Sequence, residues 1–453
     1  MHLPNYFLID LPSEAILTAE MISEACQTLK RNRDRYLLGR PTQGLIRVLS
    51  QLARDWLEPE FPFRKMVLAD GPKATGFSAA TLAAGLDDFF GALTLENLEL
   101  LLLQDLGHLQ RFESLAASEI EQNCDRASYV RGPELLAHVT GGILPNPTLM
   151  NLLLGLLARS AQFVKCATGT AYVPRLFAHS LYQAEPKLGA CLEIAEWKGG
   201  THSLETALFS EADCLIVMGN DQTIADIRQQ APHRLRVLGY GHRVSFGYVA
   251  RAVLSGMSAR KVACRAAHDI AAWNQLGCLS PHVIYVESGG AVSPLHFAEL
   301  LAAELESLER TRPRGGLGVE ESGAIATRRY FYQVRAAHSS ETKLWCSDGS
   351  TAWTVVYEPD PLFQVSCLNR FIYVKGVSGL EQALRGADAV RGKVSTVGLA
   401  ATEDQAYEIA TELARWGVAR VCPLGQMQNP PLTWRHDGRP SLGDLVTWTD
   451  WEQ

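Results

Sequence analysis

The sequence lacks the cysteine patterns of disulfide-bonded and zinc-binding proteins. It has ten cysteines among 453 residues, but no Cys-x-x-Cys pair and no histidine placed to complete a zinc site. This spacing argues against a disulfide scaffold and a structural metal, and it is typical of reduced thiols in a cytoplasm. We therefore expect a cytoplasmic protein without a metal cofactor.

Long apolar runs and basic tracts are also missing. The most apolar stretch, residues 149–157, contains Asn151 and is followed by Arg159, so it is predicted to be a core helix. The N-terminal segment has neither the basic region nor the continuous apolar region of a secretory signal. The formal net charge is -7, and no basic tract is long enough to follow a phosphate backbone. We expect neither an integral membrane protein nor a nucleic-acid-binding protein.

The length predicts two or three domains and favours an enzyme. After a mainly helical start, short buried strands at residues 162–166, 192–197 and 214–218 alternate with helical segments. Strands and helices that alternate in this way form a parallel sheet covered by helices on both faces. The predicted fold class is therefore α/β.

A glycine follows the third of these strands, in the run Gly219-Asn220-Asp221 before a helix. Parallel sheets bind ligands at the carboxyl ends of their strands, and a glycine there lets a phosphate approach the amides of the helix N-terminus. This segment has no Gly-x-Gly-x-x-Gly motif. The pattern therefore leaves two interpretations open, a cofactor loop and an ordinary turn.

The most informative segment is residues 274–281 (NQLGCLSP), which sets Cys278 in a loop between a predicted helix at 259–273 and a predicted strand at 282–287. A thiolate in such a loop can attack an acyl carbonyl, and the resulting thioester accepts a hydride or a second nucleophile. Cys278 is the candidate nucleophile. The alternative is a buried structural cysteine.

A second α/β region follows Cys278, and the C-terminal stretch is rich in proline, glycine and tryptophan. We predict four regions: a helical region at 1–130, a Rossmann-type cofactor domain at 131–257, a catalytic domain with the nucleophilic cysteine at 258–419, and a tail at 420–453 that contributes to oligomerisation.

Four segments together resemble one known family. They are residues 274–287 around Cys278, 219–224 (GNDQTI), 239–246 (GYGHRVSF) and 445–450 (LVTWTD). Over roughly residues 130–453 the chain is similar to the long-chain acyl-CoA reductase family, typified by the reductase subunit of the bacterial bioluminescence fatty-acid reductase complex, within the aldehyde dehydrogenase superfamily. The resemblance implies an aldehyde-dehydrogenase-like fold, with a Rossmann-type cofactor domain and an α/β catalytic domain.

The resemblance also implies a mechanism and partners. Cys278 would attack an acyl-CoA or another activated acyl donor, and NADPH would reduce the acyl-enzyme to an aldehyde. An acyl-protein synthetase or acyltransferase partner and a homo-oligomer, with the C-terminal tail as a contact, are expected on the same basis.

Candidate cofactor residues follow from the resemblance. Lys165 matches the superfamily lysine that contacts the adenosine ribose, and Thr168 stands where NAD-using relatives have a glutamate. Without that carboxylate a 2'-phosphate is not repelled, so NADPH is expected. Gly219 and Asn220 would lie by the phosphates, and Glu358 resembles the glutamate that holds the nicotinamide ribose. A plain solvated lysine is the alternative for Lys165.

The chain departs from its superfamily at two positions. Ile143 stands where the family pattern has an oxyanion-binding asparagine, a donor whose loss typically costs ~100- to 1000-fold in rate. We expect Asn146 or backbone amides, including that of Cys278, to replace it, unless catalysis is impaired. His242 stands where hydrolytic relatives have a water-activating glutamate, and it could assist Cys278 as an acid or base. A surface histidine is the alternative.

Three functions remain open at this stage. The favoured one is an NADPH-dependent acyl-CoA reductase that forms an aldehyde. The alternatives are a non-redox acyltransferase or thioesterase that uses Cys278, and a catalytically weakened acyl-carrying subunit, which Ile143 keeps open. NADPH consumption separates the first function from the other two.

Overall fold

The computed structural model describes residues 3–12 and 14–452, which form two compact units. The first unit contains the chain up to Thr75, Leu86–Gly241 and the chain from Pro431 onward. The second contains Gly76–Gly85 and His242–Pro430. Within the described ranges, every helix is too short or too polar to cross a membrane.

The first unit begins with helices. After a 3-10 turn at Leu8–Asp10, the chain forms α1 (Ala19–Tyr36), α2 (Thr42–Leu57), α3 (Pro62–Thr75), α4 (Ala79–Gly91), α5 (Leu95–Leu106) and the short α6 (Glu119–Gln122). The residues of α4 up to Gly85 belong to the second unit. Helix α1 starts where the Thr18 side chain accepts a hydrogen bond from the Met21 amide at 3.3 Å. Its buried residues Ile22, Cys26 and Leu29 recur at helical spacing and pack against the sheet described next.

The centre of the first unit is a five-stranded parallel sheet. Strand β1 (Arg126–Arg131) precedes it, and the sheet contains β2 (Leu135–Val139), β3 (Ala161–Cys166), β4 (Leu192–Glu196), β5 (Cys214–Met218) and β6 (Arg236–Tyr240). Helices α7 (Asn146–Leu157), α8 (Tyr172–Ala184), α9 (Pro186–Gly189), α10 (His202–Glu211) and α11 (Asp221–Gln230) connect these strands. The strand order is β4-β3-β2-β5-β6, so the order reverses between β2 and β5, where such sheets have a ligand crevice.

The second unit contains a seven-stranded sheet. Its strands are β7 (Val244–Val249), β8 (Pro281–Glu287), β9 (Lys343–Cys346), β10 (Thr354–Glu358), β11 (Phe371–Val377), β12 (Val394–Ala400) and β13 (Arg420–Pro423). Their order is β13-β12-β7-β8-β11-β10-β9, and all neighbours are parallel except β9 and β10. The connecting helices are α12 (Gly256–Ala271), α13 (Pro294–Thr311), α14 (Val319–His338), α15 (Leu380–Gly386) and α16 (Glu403–Trp416), with 3-10 turns at Arg251–Val253, Ala272–Gln275 and Asp388–Val390.

This second sheet is buried on both faces. Successive residues of β8 alternate between the faces, so that Ile284 packs with α12 and α13, whereas Tyr285 packs with α14 and α16. All seven residues of β8 are buried. The sequence of a strand that is buried on both faces is a nearly continuous run of apolar residues, which explains why the bounds of β8 were predicted closely.

Near its C-terminus the chain returns to the first unit. After 3-10 turns at His436–Gly438 and Gly443–Leu445, strand β14 (Thr447–Glu452) pairs antiparallel with β1. All six residues of β14 are exposed.

The units divide the chain differently from the predicted regions. The boundary lies between Gly241 and His242, rather than after residue 257, because β7 pairs with β8 and β12 of the second sheet. The predicted tail at 420–453 is also divided, since β13 is an edge strand of the second sheet and β14 pairs with β1. The predicted helix at 149–157 is confirmed as part of α7.

Candidate active site

Cys278 lies in a short loop between α12 and β8, as the sequence predicted. It is exposed, whereas burial raises the pKa of the Cys26, Cys166 and Cys191 thiols to about 12. A nucleophile must meet its substrate as a thiolate, so these three buried thiols are poor candidates. Cys278 is not distinguished by exposure alone, because Cys124 is exposed too.

The backbone before Cys278 is unusual. Trp273, Asn274 and Gln275 have φ values of 49°, 53° and 65°, which is the left-handed region. For a non-glycine residue this conformation costs roughly 1–2 kcal/mol. Asparagine tolerates it better than the other two residues, so the surrounding contacts must hold this turn in place.

Hydrogen bonds from other elements fix the Cys278 loop. The Ser245 hydroxyl of β7 donates to the Cys278 carbonyl at 2.7 Å and accepts from the Thr396 amide at 3.1 Å. The Gln428 side chain donates to the Ser280 hydroxyl at 3.0 Å. The main chain around the candidate nucleophile is therefore attached to neighbouring segments of its own unit.

A second histidine, which the sequence analysis missed, lies four residues after Cys278. The His282 side chain is buried, and its Nδ1 accepts a hydrogen bond from the Ser366 amide at 3.0 Å. Because Nδ1 is an acceptor, the proton of the neutral ring is on Nε2. Burial, together with the charge of the exposed His242, lowers the pKa of His282 to about 4. His282 is therefore neutral at pH 7, and its closeness to Cys278 in sequence was the only signal for it.

The neutral state of His282 predicts a pH-dependent contribution to stability. An unfolded histidine binds a proton near pH 6.5, whereas the buried ring resists until about pH 4, so acidification between these values favours the unfolded state. His282→Asn should have a lower free energy of unfolding than wild type at pH 7.5. At pH 4.5 this difference in the free energy of unfolding should be smaller by about 2–3 kcal/mol.

Urea unfolding of both proteins at the two pH values measures this change. His202→Asn, at an exposed histidine at the start of α10, is the matched control for the substitution itself. A difference for His282→Asn that is not smaller at pH 4.5 would contradict the assignment of a neutral ring.

The candidate cofactor residues of the first unit lie at the carboxyl ends of its strands. Lys165 is the penultimate residue of β3, is 4% exposed and has its Nζ 6.0 Å from the centroid of the Trp197 ring. Burial lowers the pKa of Lys165. Thr168 is exposed in the turn that follows β3. The two residues therefore lie where the order of a Rossmann-type sheet positions a nucleotide.

The ends of β2 and β5 approach each other closely. A Cβ atom on Gly141 would lie 2.4 Å from the Met218 carbonyl oxygen, so only glycine fits after β2. After β5, the Asn220 side chain caps α11 by accepting from the Thr223 amide at 2.7 Å. This crevice, with its glycines and a capped helix N-terminus, suits the phosphates of a dinucleotide. A glycine directly after a strand indicates such a close approach, and the prediction from the sequence did not use Gly141.

Glu358 has a different environment from the other candidates. It is 1% exposed, and its Oε2 lies 2.8 Å from Nζ of Lys375, the neighbouring residue on β11. Its Oε1 lies 3.0 Å from Nε of Arg335. Oε1 is near Arg335 but has no hydrogen-bond partner among the described residues, whereas Oε2 accepts from the buried Lys375. The buried ion pair with Lys375 favours a structural role, and the cofactor contact of Glu358 stays a prediction.

Solved structures identify the class of fold. The chain is similar to the aldehyde dehydrogenase KauB from Pseudomonas aeruginosa, with a TM-score of 0.71 and 14% identity over 98% of this chain and 91% of that one. It is also similar to the indole-3-acetaldehyde dehydrogenase AldA of P. syringae in complex with NAD+, with a TM-score of 0.71 and 14% identity, covering 97% of this chain and 90% of that one. The predicted aldehyde-dehydrogenase-like fold is confirmed.

The sequence identifies the family within that class. The family described as Acyl-CoA reductase (LuxC) matches residues 39–448, and the chain belongs to this family. The predicted resemblance started at residue 130, whereas the match begins at residue 39. The helices from α2 (Thr42–Leu57) onward are therefore part of the family's sequence pattern, and α1 lies before the match.

Curated relatives are more distant. The chain is similar to the long-chain acyl-protein thioester reductases of Aliivibrio fischeri, at 21% identity, and of Photorhabdus laumondii, at 22%, over 324 residues in each case. These alignments cover 70% of this chain and 63% of each relative, so the chain spans less than two thirds of their length.

Proposed function

We propose that this protein is an NADPH-dependent reductase that converts an acyl thioester to an aldehyde through an acyl group on Cys278. The observation that carries the proposal is an exposed cysteine on a fixed loop of an aldehyde-dehydrogenase-like fold, in a member of the acyl-CoA reductase family. The curated relatives are named as long-chain acyl-protein thioester reductases, which supports a long-chain acyl group on CoA or on a protein as the substrate.

The chemistry divides into two steps at Cys278. The thiolate attacks the carbonyl carbon of the acyl donor, the bond from that carbon to the donor sulfur breaks, and the donor leaves as a thiolate that takes a proton from water. A reduced nicotinamide, when bound, would supply a hydride to the same carbon. The oxygen of the resulting thiohemiacetal on Cys278 first takes up a proton. When it gives this proton back and the carbon–sulfur bond breaks, the aldehyde leaves and the thiolate is regenerated.

The residues of the chain have distinct tasks in this scheme. Backbone amides of the Cys278 loop would donate to the carbonyl oxygen, since Ile143 cannot. His242, where hydrolytic relatives have a glutamate, would move protons at the thiohemiacetal and leave water unactivated. Lys165, Thr168, Gly219 and Asn220 would hold the dinucleotide along the strand ends of the first sheet.

The direct test mixes the purified protein with NADPH and acyl-CoAs of increasing chain length. Acyl-dependent loss of NADPH absorbance, with an equal amount of aldehyde, is the expected result. Retention of the acyl group on the protein without NADPH oxidation would favour the non-redox acyltransferase or the weakened acyl-carrying subunit. The observation that favours the weakened subunit is Ile143, an exposed residue at the position of the oxyanion-binding asparagine.

The preference for NADPH predicts the effect of a charge at position 168. Thr168→Glu places a carboxylate in the exposed turn after β3, where it would repel a 2'-phosphate and accept hydrogen bonds from the ribose hydroxyls of NADH. The ratio of kcat/KM for NADPH to that for NADH should fall by about 10- to 100-fold, as expected for one close charge. Initial rates with each nucleotide measure this ratio.

Thr168→Gln is the matched control, because it adds the same volume without a charge. Its nucleotide ratio should stay near that of wild type. An unchanged ratio in Thr168→Glu would remove Thr168 from the set of cofactor residues.

A further inference from the structure

Two left-handed turns meet beneath the Cys278 loop. Residues 273–275 and residues 368–370 all have positive φ values, and none of the six is glycine. The Arg370 side chain joins the two turns, because its Nη2 donates to the Asn274 side-chain oxygen at 3.1 Å. Its Nη1 lies 2.7 Å from a carboxylate oxygen of Glu309. Arg370 and Asn274 are 1% and 3% exposed, so the contact between their side chains is shielded from water, whereas Glu309 is partly exposed.

Arg314 also connects the two turns. The Asn274 side-chain amide donates to the Arg314 carbonyl at 2.8 Å, and the Arg314 guanidinium donates to the Asn369 carbonyl at 3.4 Å. Strained backbone of this kind persists only where the surroundings impose it, and such strain clusters at functional sites. Here the strained segment ends three residues before the candidate nucleophile.

Gln275 connects these two left-handed turns to the loop that carries Cys278. Its side-chain amide donates to the Pro281 carbonyl at 2.8 Å and to the Phe371 carbonyl at 2.9 Å. Gln275 and Pro281 flank residues 276–280, so one side chain closes the loop that carries Cys278 and ties it to the first residue of β11. Gln275 is fully buried, and the structure shows no hydrogen-bond partner for its Oε1 within residues 3–12 and 14–452.

We propose that Gln275, held in its left-handed turn by the Asn274–Arg370 contact, is the positioning residue that fixes Cys278 for attack on the acyl carbonyl. This role rests on the proposed function of Cys278. Attack by a nucleophile depends steeply on its position, and a misplacement of about 1 Å can cost ~100-fold in rate. Gln275 acts through the backbone of the loop.

The test measures the acylation step alone, without NADPH. Gln275→Met keeps the length of the side chain but loses both donated hydrogen bonds. Rapid quench and intact-protein mass spectrometry give the rate at which the protein gains an acyl group from acyl-CoA. The maximum acylation rate should fall by about 10- to 100-fold, while the half-saturating acyl-CoA concentration stays within about two-fold of wild type, because only positioning is lost.

Gln162→Met is the matched control for simple loss of a buried amide. Gln162 is fully buried in β3, and its side-chain amide donates to the Leu152 carbonyl at 2.9 Å. This variant should lower the urea midpoint about as much as Gln275→Met and leave acylation near the wild-type rate. Equal acylation rates in wild type and Gln275→Met, despite a lowered midpoint, would overturn the proposal.

A second variant covers the case in which Gln275→Met does not fold. Asn274→Gly removes the oxygen that Arg370 contacts, and glycine adopts a positive φ without strain. It should therefore fold but lose the hydrogen bond from Arg370 that connects the two turns. Its maximum acylation rate should fall by about 5- to 10-fold. An unchanged rate in Asn274→Gly would also overturn the proposal.

Alkylation of Cys278 by iodoacetamide separates this proposal from the proposed function. The reagent needs neither acyl donor nor nucleotide, and peptide mass spectrometry reads Cys278 apart from the other cysteines. If wild type accepts no acyl group, the proposed function fails, and the alkylation rate of Cys278 then tests whether Gln275 positions this residue. An alkylation rate in Gln275→Met that differs from wild type by about three-fold or more, with no such difference in Gln162→Met, supports the positioning role. Identical rates overturn that role.

Discussion

Cys278→Ala is expected to lower acyl-dependent NADPH oxidation by about 10,000-fold or more, the scale on which enzymes lose rate when a covalent nucleophile is removed. Alanine cannot form the thioester, so the acyl group would remain on its donor. The variant should still fold, because Cys278 is exposed and its carbonyl, rather than its thiol, accepts the hydrogen bond from Ser245.

The measurement is the initial rate of NADPH oxidation with a saturating acyl-CoA, together with the mass of the protein after incubation with acyl-CoA alone. Cys264→Ala is the control, since Cys264 is a half-buried thiol of α12 in the same unit. It should keep both the oxidation and the acyl adduct. Acyl-dependent oxidation that survives in Cys278→Ala would refute the thioester mechanism.

Local sequence signals predicted the strands and helices around the site well. The predicted strand at 282–287 is β8, and the predicted strands at 162–166, 192–197 and 214–218 are β3, β4 and β5 within one residue at each end. These segments are short, mostly buried runs bounded by helical segments, and in β5 and β8 the β-branched residues add a strand signal of their own.

Segments with weaker or contradictory signals were missed. Strand β2, at the centre of the first sheet, contains the buried His138, which interrupts its apolar run. Helix α14 was not predicted, because only Ile325, Arg329 and Tyr332 of its twenty residues are buried. The assignment of β7 to the second sheet depends on its pairing with β12, some 150 residues later, which no local pattern records.

The candidate site shows the same limit. The sequence identified Cys278 and its loop, because the helix–loop–strand context is local. It did not identify the support of that loop, since Gln275 bonds to Phe371 across 96 positions of the chain, and positive φ values at Trp273 and Gln275 contradict local preference. His282 was missed because its burial, rather than its residue type, sets its pKa.

Lys375→Met is expected to lower the free energy of unfolding by about 3–5 kcal/mol, the usual cost of removing one partner of a buried ion pair. Lys375 and Glu358 are neighbours on β11 and β10, with exposed fractions of 0% and 1%. Without the ammonium group, the Glu358 carboxylate would stay buried beside the half-exposed Arg335 alone. The urea midpoint of the variant should fall accordingly.

The double variant Lys375→Met/Glu358→Leu decides what Glu358 does. If the pair is structural, removal of both charges should restore most of the lost stability, because the two charges that lose a partner, Asp360 and Arg335, are 37% and 47% exposed and can be solvated. The Kd for NADPH should then match that of wild type. The control Arg385→Met, which removes an exposed ion pair with Glu381, should change neither the stability nor the Kd.

If Glu358 instead holds the nicotinamide ribose, the double variant should regain its stability and still bind NADPH at least ten-fold more weakly, the cost of about one charge-assisted hydrogen bond. Only in that case does Glu358 stay, with Lys165 and Thr168, among the candidate cofactor residues.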